Sequence, residues 1–63
     1  MSKTELIQEL ADEVESLKDK VLNTAVKLGA GGAKLKLMEV RSQIEDIQES
    51  LSEAYELAEE DEA

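Results

Sequence analysis

The side chains that could do acid–base or nucleophilic chemistry in this 63-residue chain are carboxylates and serine hydroxyls. Among its sixteen acidic residues, Glu45, Glu49 and Glu53 recur every four positions. This spacing places them on one face of a helix, where carboxylates are ordinarily solvated and lack the apolar pocket that a general acid needs. The serines have no histidine to activate them, because the sequence contains none. We therefore expect no catalytic residues and no enzymatic activity.

The composition also bears on metal and cofactor chemistry. The sequence has no histidine, cysteine or proline, and Tyr55 is its one aromatic residue. Zinc and haem sites depend on histidine or cysteine ligands, and a disulfide needs two cysteines. The acidic residues do not form the aspartate ladder with a central glycine that is typical of calcium loops. We expect no metal site and no cofactor.

The elements that must position these residues are indicated by the apolar pattern. All three glycines lie in the segment 29–32, near the middle of the chain. On either side, apolar residues recur at alternating spacings of three and four residues, which predicts two amphipathic helices. The residues expected to form the core of an oligomer are Ile7, Leu10, Val14, Leu17, Val21, Leu28, Leu37, Val40, Ile44, Ile47 and Leu51.

Capping signals place the ends of these helices. Ser2 followed by Glu5 is a capping-box pattern, and Gly29 is placed to end the first helix with a left-handed residue. The predicted organisation is one helical hairpin spanning the whole chain. It has a helix over about 3–28, a glycine-rich loop over 29–32, a helix over about 33–59 and an acidic tail over 60–63.

The alternative is one continuous coiled-coil rod running through the glycines. Three glycines inside a helix would cost about 3 kcal/mol relative to alanine. The apolar pattern also loses its phase there, because Leu28 and Leu37 are nine residues apart rather than seven. The hairpin is therefore favoured over the rod.

A hairpin of this size has little core of its own and no disulfide or metal to stabilise it. The predicted fold class is therefore an all-α, two-helix antiparallel hairpin that oligomerises, most simply as a dimer, into a four-helix bundle. Further apolar residues outside the heptad pattern widen the apolar stripe near the loop. These are Leu22, Ala25, Val26, Leu35 and Met38.

The formal net charge of −9 is unevenly distributed. Residues 1–17 carry one lysine against five acids, residues 18–41 carry six bases against two acids, and residues 42–63 carry nine acids and no base. Folding the hairpin brings the two acidic segments together at one end and leaves the basic segment at the loop. Antiparallel pairing of two hairpins would set each basic end beside an acidic end, so the predicted partner is a second copy in that orientation, or a higher oligomer.

The loop end of the hairpin is also the candidate binding site for an anion or a partner. A helix N-terminus exposes free amides that bind anions. The helix dipole disfavours lysines in the first turn, and such departures from local helix preferences are found at functional sites. The same lysines could instead serve only to neutralise the second protomer. The candidate residues are Lys27, Gly29, Gly31, Gly32, Lys34 and Lys36.

These features predict a non-enzymatic, small oligomeric hairpin that binds and regulates, inhibits or chaperones a macromolecular partner, here an unidentified protein. The alternative is an oligomer that captures an anionic small ligand, such as a phosphate or nucleotide, at the basic tip, as a virus-encoded sequestering inhibitor would. The net charge disfavours direct nucleic-acid binding. The short apolar runs and missing aromatic anchors disfavour membrane contact. We expect a cytoplasmic location.

Overall fold

The computed structural model describes residues 2–62 and contains two α-helices, α1 (Lys3–Leu28) and α2 (Gly32–Glu62). The helices pack against each other in opposite directions as a flat hairpin, with Cα extents of 49 × 17 × 8 Å. The predicted all-α hairpin is confirmed, and the continuous rod is wrong. Met1 and Ala63, the outermost residues of the predicted hairpin and its tail, lie outside the described residues.

The N-terminus of α1 is capped from two directions. Ser2 is extended, and its Oγ accepts the Glu5 backbone N–H at 3.2 Å. The Glu62 carboxylate, at the end of α2, accepts the backbone N–H groups of Lys3 and Thr4 and the Thr4 hydroxyl. Because the first amides of a helix have no partner within it and carry its positive dipole end, a carboxylate is well suited to this position.

The C-terminal end of α2 therefore differs from the prediction. An end at about residue 59 followed by an acidic tail was expected, but the helix continues to Glu62. Lys3 Nζ lies 3.5 Å from Asp61 Oδ2, next to the Glu62 cap. These contacts with α1 hold the last acidic turn of α2 in place. Local sequence preferences do not reveal them, because they join the two ends of the chain.

The connection between the helices depends on two glycines. Gly29 has φ 73° and ψ −176° and donates its N–H to Val26 O at 3.3 Å, while Gly31 has φ 152°. Residues with a side chain rarely adopt such φ values, whereas glycine adopts them freely. Leu35 N–H donates to Gly31 O at 3.2 Å as α2 begins. Gly32 was expected in the loop, but it is the first residue of α2, so the loop is one residue shorter than predicted.

The helices contact each other along one narrow stripe of each. Within residues 2–62 the buried residues are Ala25, Ile44 and Ala58, and half-buried residues extend the stripe in both directions. On α1 the stripe consists of Thr4, Ile7, Ala11, Val14, Lys18, Val21, Leu22 and Ala25. On α2 it consists of Lys34, Leu37, Met38, Arg41, Ile44, Gln48, Leu51, Ala54, Tyr55 and Ala58.

A heptad lettering makes the geometry of this contact explicit. With Ile7 as position a of α1 and Leu37 as position a of α2, the helices meet mainly along a and e. The expected core residues at a, except Leu28 at the end of α1, are buried or half-buried. Those at d are exposed, namely Leu10, Leu17, Val40 and Ile47. The hairpin contact thus uses one half of the expected core and leaves the other half open.

Candidate interaction surfaces

The exposed d positions of the two helices lie on the same broad side of the hairpin. The two helices run in opposite directions, and both turn positions a and e toward each other. Position d of each helix therefore lies on the same side of the contact. We call this side the apolar face. Its residues are Leu6, Leu10, Leu17, Val40, Ile47, Ala54 and Leu57.

The apolar face leaves large side chains in water along most of the rod. Apart from the half-buried Ala54, its side chains are 37–60% exposed. Leu17 and Ile47 lie at the same level, since the adjacent Lys18 Nζ donates to Gln48 Oε1 at 3.3 Å. Contiguous exposed apolar surface of this kind marks interaction sites in water-soluble domains.

Charged residues at positions c and g line the edges of the apolar face. Lys20, Lys27 and Lys36 lie toward the loop and are exposed. The exposed acids at these positions lie mainly toward the opposite, open end of the hairpin, where α1 begins and α2 ends. Glu9, Glu13, Glu53 and Glu60 lie toward the open end, Asp46 lies near the middle, and Glu39 lies toward the loop beside Lys36. The apolar face therefore has a basic end and an acidic end.

The other side of the hairpin carries a polar groove of about 420 Å³ near the open end. Tyr55 lines it with Ile7, Ala11 and Leu51, and its rim carries the exposed Gln8 and several exposed carboxylates. Gln8 Nε2 donates to Asp12 Oδ1 at 2.9 Å across one helical turn. Among residues 2–62, no group of three acidic side chains could hold a metal ion.

A polar cluster between the helices was not anticipated from the sequence. Glu45 Oε1 lies 3.7 Å from Lys18 Nζ and 3.5 Å from Arg41 Nη1, and Lys18 also bonds Gln48. Glu45 was interpreted as part of a solvated stripe, but it links the two helices. Polar residues of complementary character at positions 18, 41 and 48, all e positions, are the sequence signal that could have revealed the cluster.

The candidate tip residues all lie at the loop end, but their lysines do not share one face of the hairpin. Lys27 and Lys36 are g residues beside the apolar face, whereas Lys34 is an e residue on the other edge of the helix contact. Lys36 Nζ is paired with Glu39 Oε2 at 3.1 Å. Gly29 and Gly31 form the turn, and Gly32 opens α2.

A second apolar surface lies near the loop on the side away from the apolar face. Val26 and Leu35, both at position f, are 64% and 72% exposed. Each lies one helical turn from a half-buried apolar residue, Leu22 on α1 and Met38 on α2. We call these four residues the tip patch.

Within the described range 2–62, neither helix contains a segment long and apolar enough to cross a membrane. A comparison with protein-family models, curated proteins and solved structures finds no match to this chain. The two apolar surfaces are therefore the guide to its function.

Proposed function

We propose that this protein is a non-enzymatic interaction module that forms a dimeric four-helix bundle in the cytoplasm and binds a macromolecular partner through its tip patch. The observation that carries the proposal is the row of half-exposed leucine, isoleucine and valine side chains on the apolar face. A folded domain normally buries such a face against a second layer of structure.

A second layer would supply the core that the single hairpin lacks. Only three of the described residues are buried in the hairpin. Covering the remaining exposed part of a large apolar side chain contributes about 1 kcal/mol, roughly half of the value for full burial. Two hairpins that cover each other's apolar face would gain this stabilisation at each of its large side chains, and the product is a four-helix bundle.

The polar groove gives no support for a catalytic role. Its rim carboxylates Asp12, Glu15, Glu56 and Glu59 are exposed. Catalytic carboxyls are tuned by desolvation or by a close charged neighbour in an apolar pocket, and this groove is open to water along its rim. We therefore propose no reaction for it.

The tip patch is the surface we assign to the partner. Leu35 and Val26 are the most exposed large apolar residues of the described chain, and both lie off the apolar face. A dimer formed through the apolar face leaves them open, as anchors for apolar pockets on another protein. Capture of an anionic small ligand has weaker support, because Lys36 is paired with Glu39 and Lys34 lies apart from Lys27 and Lys36.

Sedimentation equilibrium at micromolar concentration tests the dimer. The wild-type chain is expected at twice its 6.9 kDa monomer mass. Leu17→Lys, at the middle of the apolar face, is expected to abolish the dimer, while the matched control Glu56→Lys, on the other side of the hairpin, keeps it. A wild-type chain that is folded and monomeric would contradict the proposal.

Capture from an extract of the native host, followed by mass spectrometry, tests the partner surface. The baits are the wild-type chain, Leu35→Lys and Ser42→Lys, where residue 42 is the exposed f position two turns beyond Leu35. A true partner is retained by wild type and Ser42→Lys and lost with Leu35→Lys. Circular dichroism checks that all three baits are helical. A partner held equally by all three baits would refute the assignment to the tip patch.

A further inference from the structure

We infer that the apolar face binds a second copy of this chain in antiparallel orientation, so that the loop end of each hairpin lies against the open end of the other. The inference rests on the proposed dimer through the apolar face and adds the direction and the register of pairing. It is argued from the area of the face, from the charges along its edges and from one pair of residues.

The dimensions of the apolar face suit a second hairpin. The broad side of the hairpin that carries this face measures 49 × 17 Å between Cα atoms, about the 800 Å² per partner of a standard stable interface. Leu17 and Ile47 lie at its middle, with exposed apolar residues extending toward both ends. A second copy is the occupant of matching length, and it carries the same uncovered face.

The charges at the edges of the face select the orientation. Lys20, Lys27 and Lys36 line the loop half, where Glu39 is the one acid at these positions and pairs with Lys36, and the other acidic residues line the middle and the open half. In a parallel dimer, lysines would face lysines and carboxylates would face carboxylates. In an antiparallel dimer each basic half faces an acidic half, and flanking charges of opposite sign stabilise that alignment.

One pair of residues makes this alignment specific. Glu13 precedes Leu17 by four residues and Lys20 follows it by three, and both are exposed g residues of α1. Two-fold antiparallel pairing centred near Leu17 places each Glu13 opposite the partner's Lys20. The symmetry forms the contact twice in each dimer.

Charge reversal at this pair tests the orientation by sedimentation equilibrium at low salt. Glu13→Lys and Lys20→Glu should each raise the dimer Kd by about tenfold, because two like-charge contacts replace two attractive ones. The double variant restores both contacts with reversed polarity and should return the Kd close to wild type. A parallel dimer would instead be tightened by Glu13→Lys, which removes repulsion between acidic ends, and that result would overturn the inference.

Cross-linking gives an independent reading, because the chain has no native cysteine to interfere. An Ala33→Cys chain mixed with a Glu60→Cys chain should form the mixed disulfide, since the first residue lies at the loop and the second at the open end. Efficient cross-linking of Ala33→Cys chains to each other would show a parallel dimer, refuting the orientation while leaving the dimer proposal intact. A dimer that survives Leu17→Lys would refute the choice of face, and a folded monomer would refute the proposed function itself.

Discussion

At the scale of single residues, the turn depends on glycines whose roles differ. Gly29 has φ 73° with ψ near 180°, a region that side chains rarely enter, whereas Gly32 is helical. Apart from the adjoining backbone, an added methyl group would meet no atom within 4 Å at either position. Gly29 and Gly32 therefore differ in backbone conformation and not in the space available for a side chain.

Alanine substitution should show this separation. Gly29→Ala is expected to lower the free energy of unfolding by about 1–3 kcal/mol, because alanine is strained in this region. Gly32→Ala is the matched control and should raise it by about 0.5–1 kcal/mol, because alanine restricts the unfolded chain. Urea unfolding at one fixed protein concentration measures both. Equal effects at the two sites would show that the turn does not hold the conformation described.

Ala25 is the residue at which space between the helices is most limited. It is 0% exposed in the contact stripe near the loop, whereas Ala33, in the first turn of α2, is exposed. Ala25→Leu should destabilise the fold by about 1–3 kcal/mol, because a larger side chain forces tightly packed helices apart. Ala33→Leu should have little effect in the same thermal unfolding measurement. If both variants melt like wild type, the close approach at Ala25 is wrong.

At the scale of the helices, each end is stabilised by a different partner. Ser2 and Gly29 cap α1 locally, as their positions in the sequence predicted. Glu62 caps α1 from a distance of 58 or more residues along the chain, and it does so only because the hairpin brings the two ends together.

Removing this long-range cap tests how α1 and α2 are joined at the open end. Glu62→Ala should lower the free energy of unfolding by about 1 kcal/mol, the usual effect of losing an N-cap. Glu59→Ala removes an equally charged, exposed residue of the same helical turn that lies off the apolar face and makes no such contact, and it should be neutral or slightly stabilising. Hydrogen exchange of the Thr4 amide should accelerate in the first variant alone. Unchanged exchange there would contradict the cap.

At the scale of the whole molecule, the proposed dimer should respond to salt in a way that reports its orientation. Raising ionic strength from about 50 mM to about 500 mM shortens the Debye length to a few ångströms and screens contacts between exposed charges. An antiparallel dimer should weaken, because attraction between basic and acidic halves is lost. Measured dimer Kd values that fall as salt rises would indicate like-charge alignment instead.

Dimerisation should also make thermal stability depend on protein concentration. Because association stabilises only the folded chain, the Tm should rise steadily as the protein is concentrated from micromolar to hundreds of micromolar. Leu17→Lys should both lower the Tm and remove this dependence. A wild-type Tm independent of concentration would show that the hairpin is stable alone.

The sequence by itself determined the local structure of this protein. The spacing of apolar residues predicted both helices, and Ser2 and Gly29 marked the start and end of the first, because periodicity and capping act within a few residues. It also predicted which residues are apolar enough to form a core, and that basic residues gather at the loop. It predicted that the six tip residues lie at one end of the hairpin. It did not predict the separation of their lysines, because that depends on how each helix is rotated.

The tertiary structure decided which edge of each apolar stripe faces the other helix. Positions a and e meet in the hairpin, with small Ala11 and Ala25 at e on α1 and the Lys18–Glu45–Gln48 contacts between the helices. A heptad pattern cannot choose between d and e, because the rotation of a helix about its own axis is set by the shape and charge of both helices at once. That rotation leaves Leu17 and Ile47 uncovered, and it creates the face to which we assign the second copy.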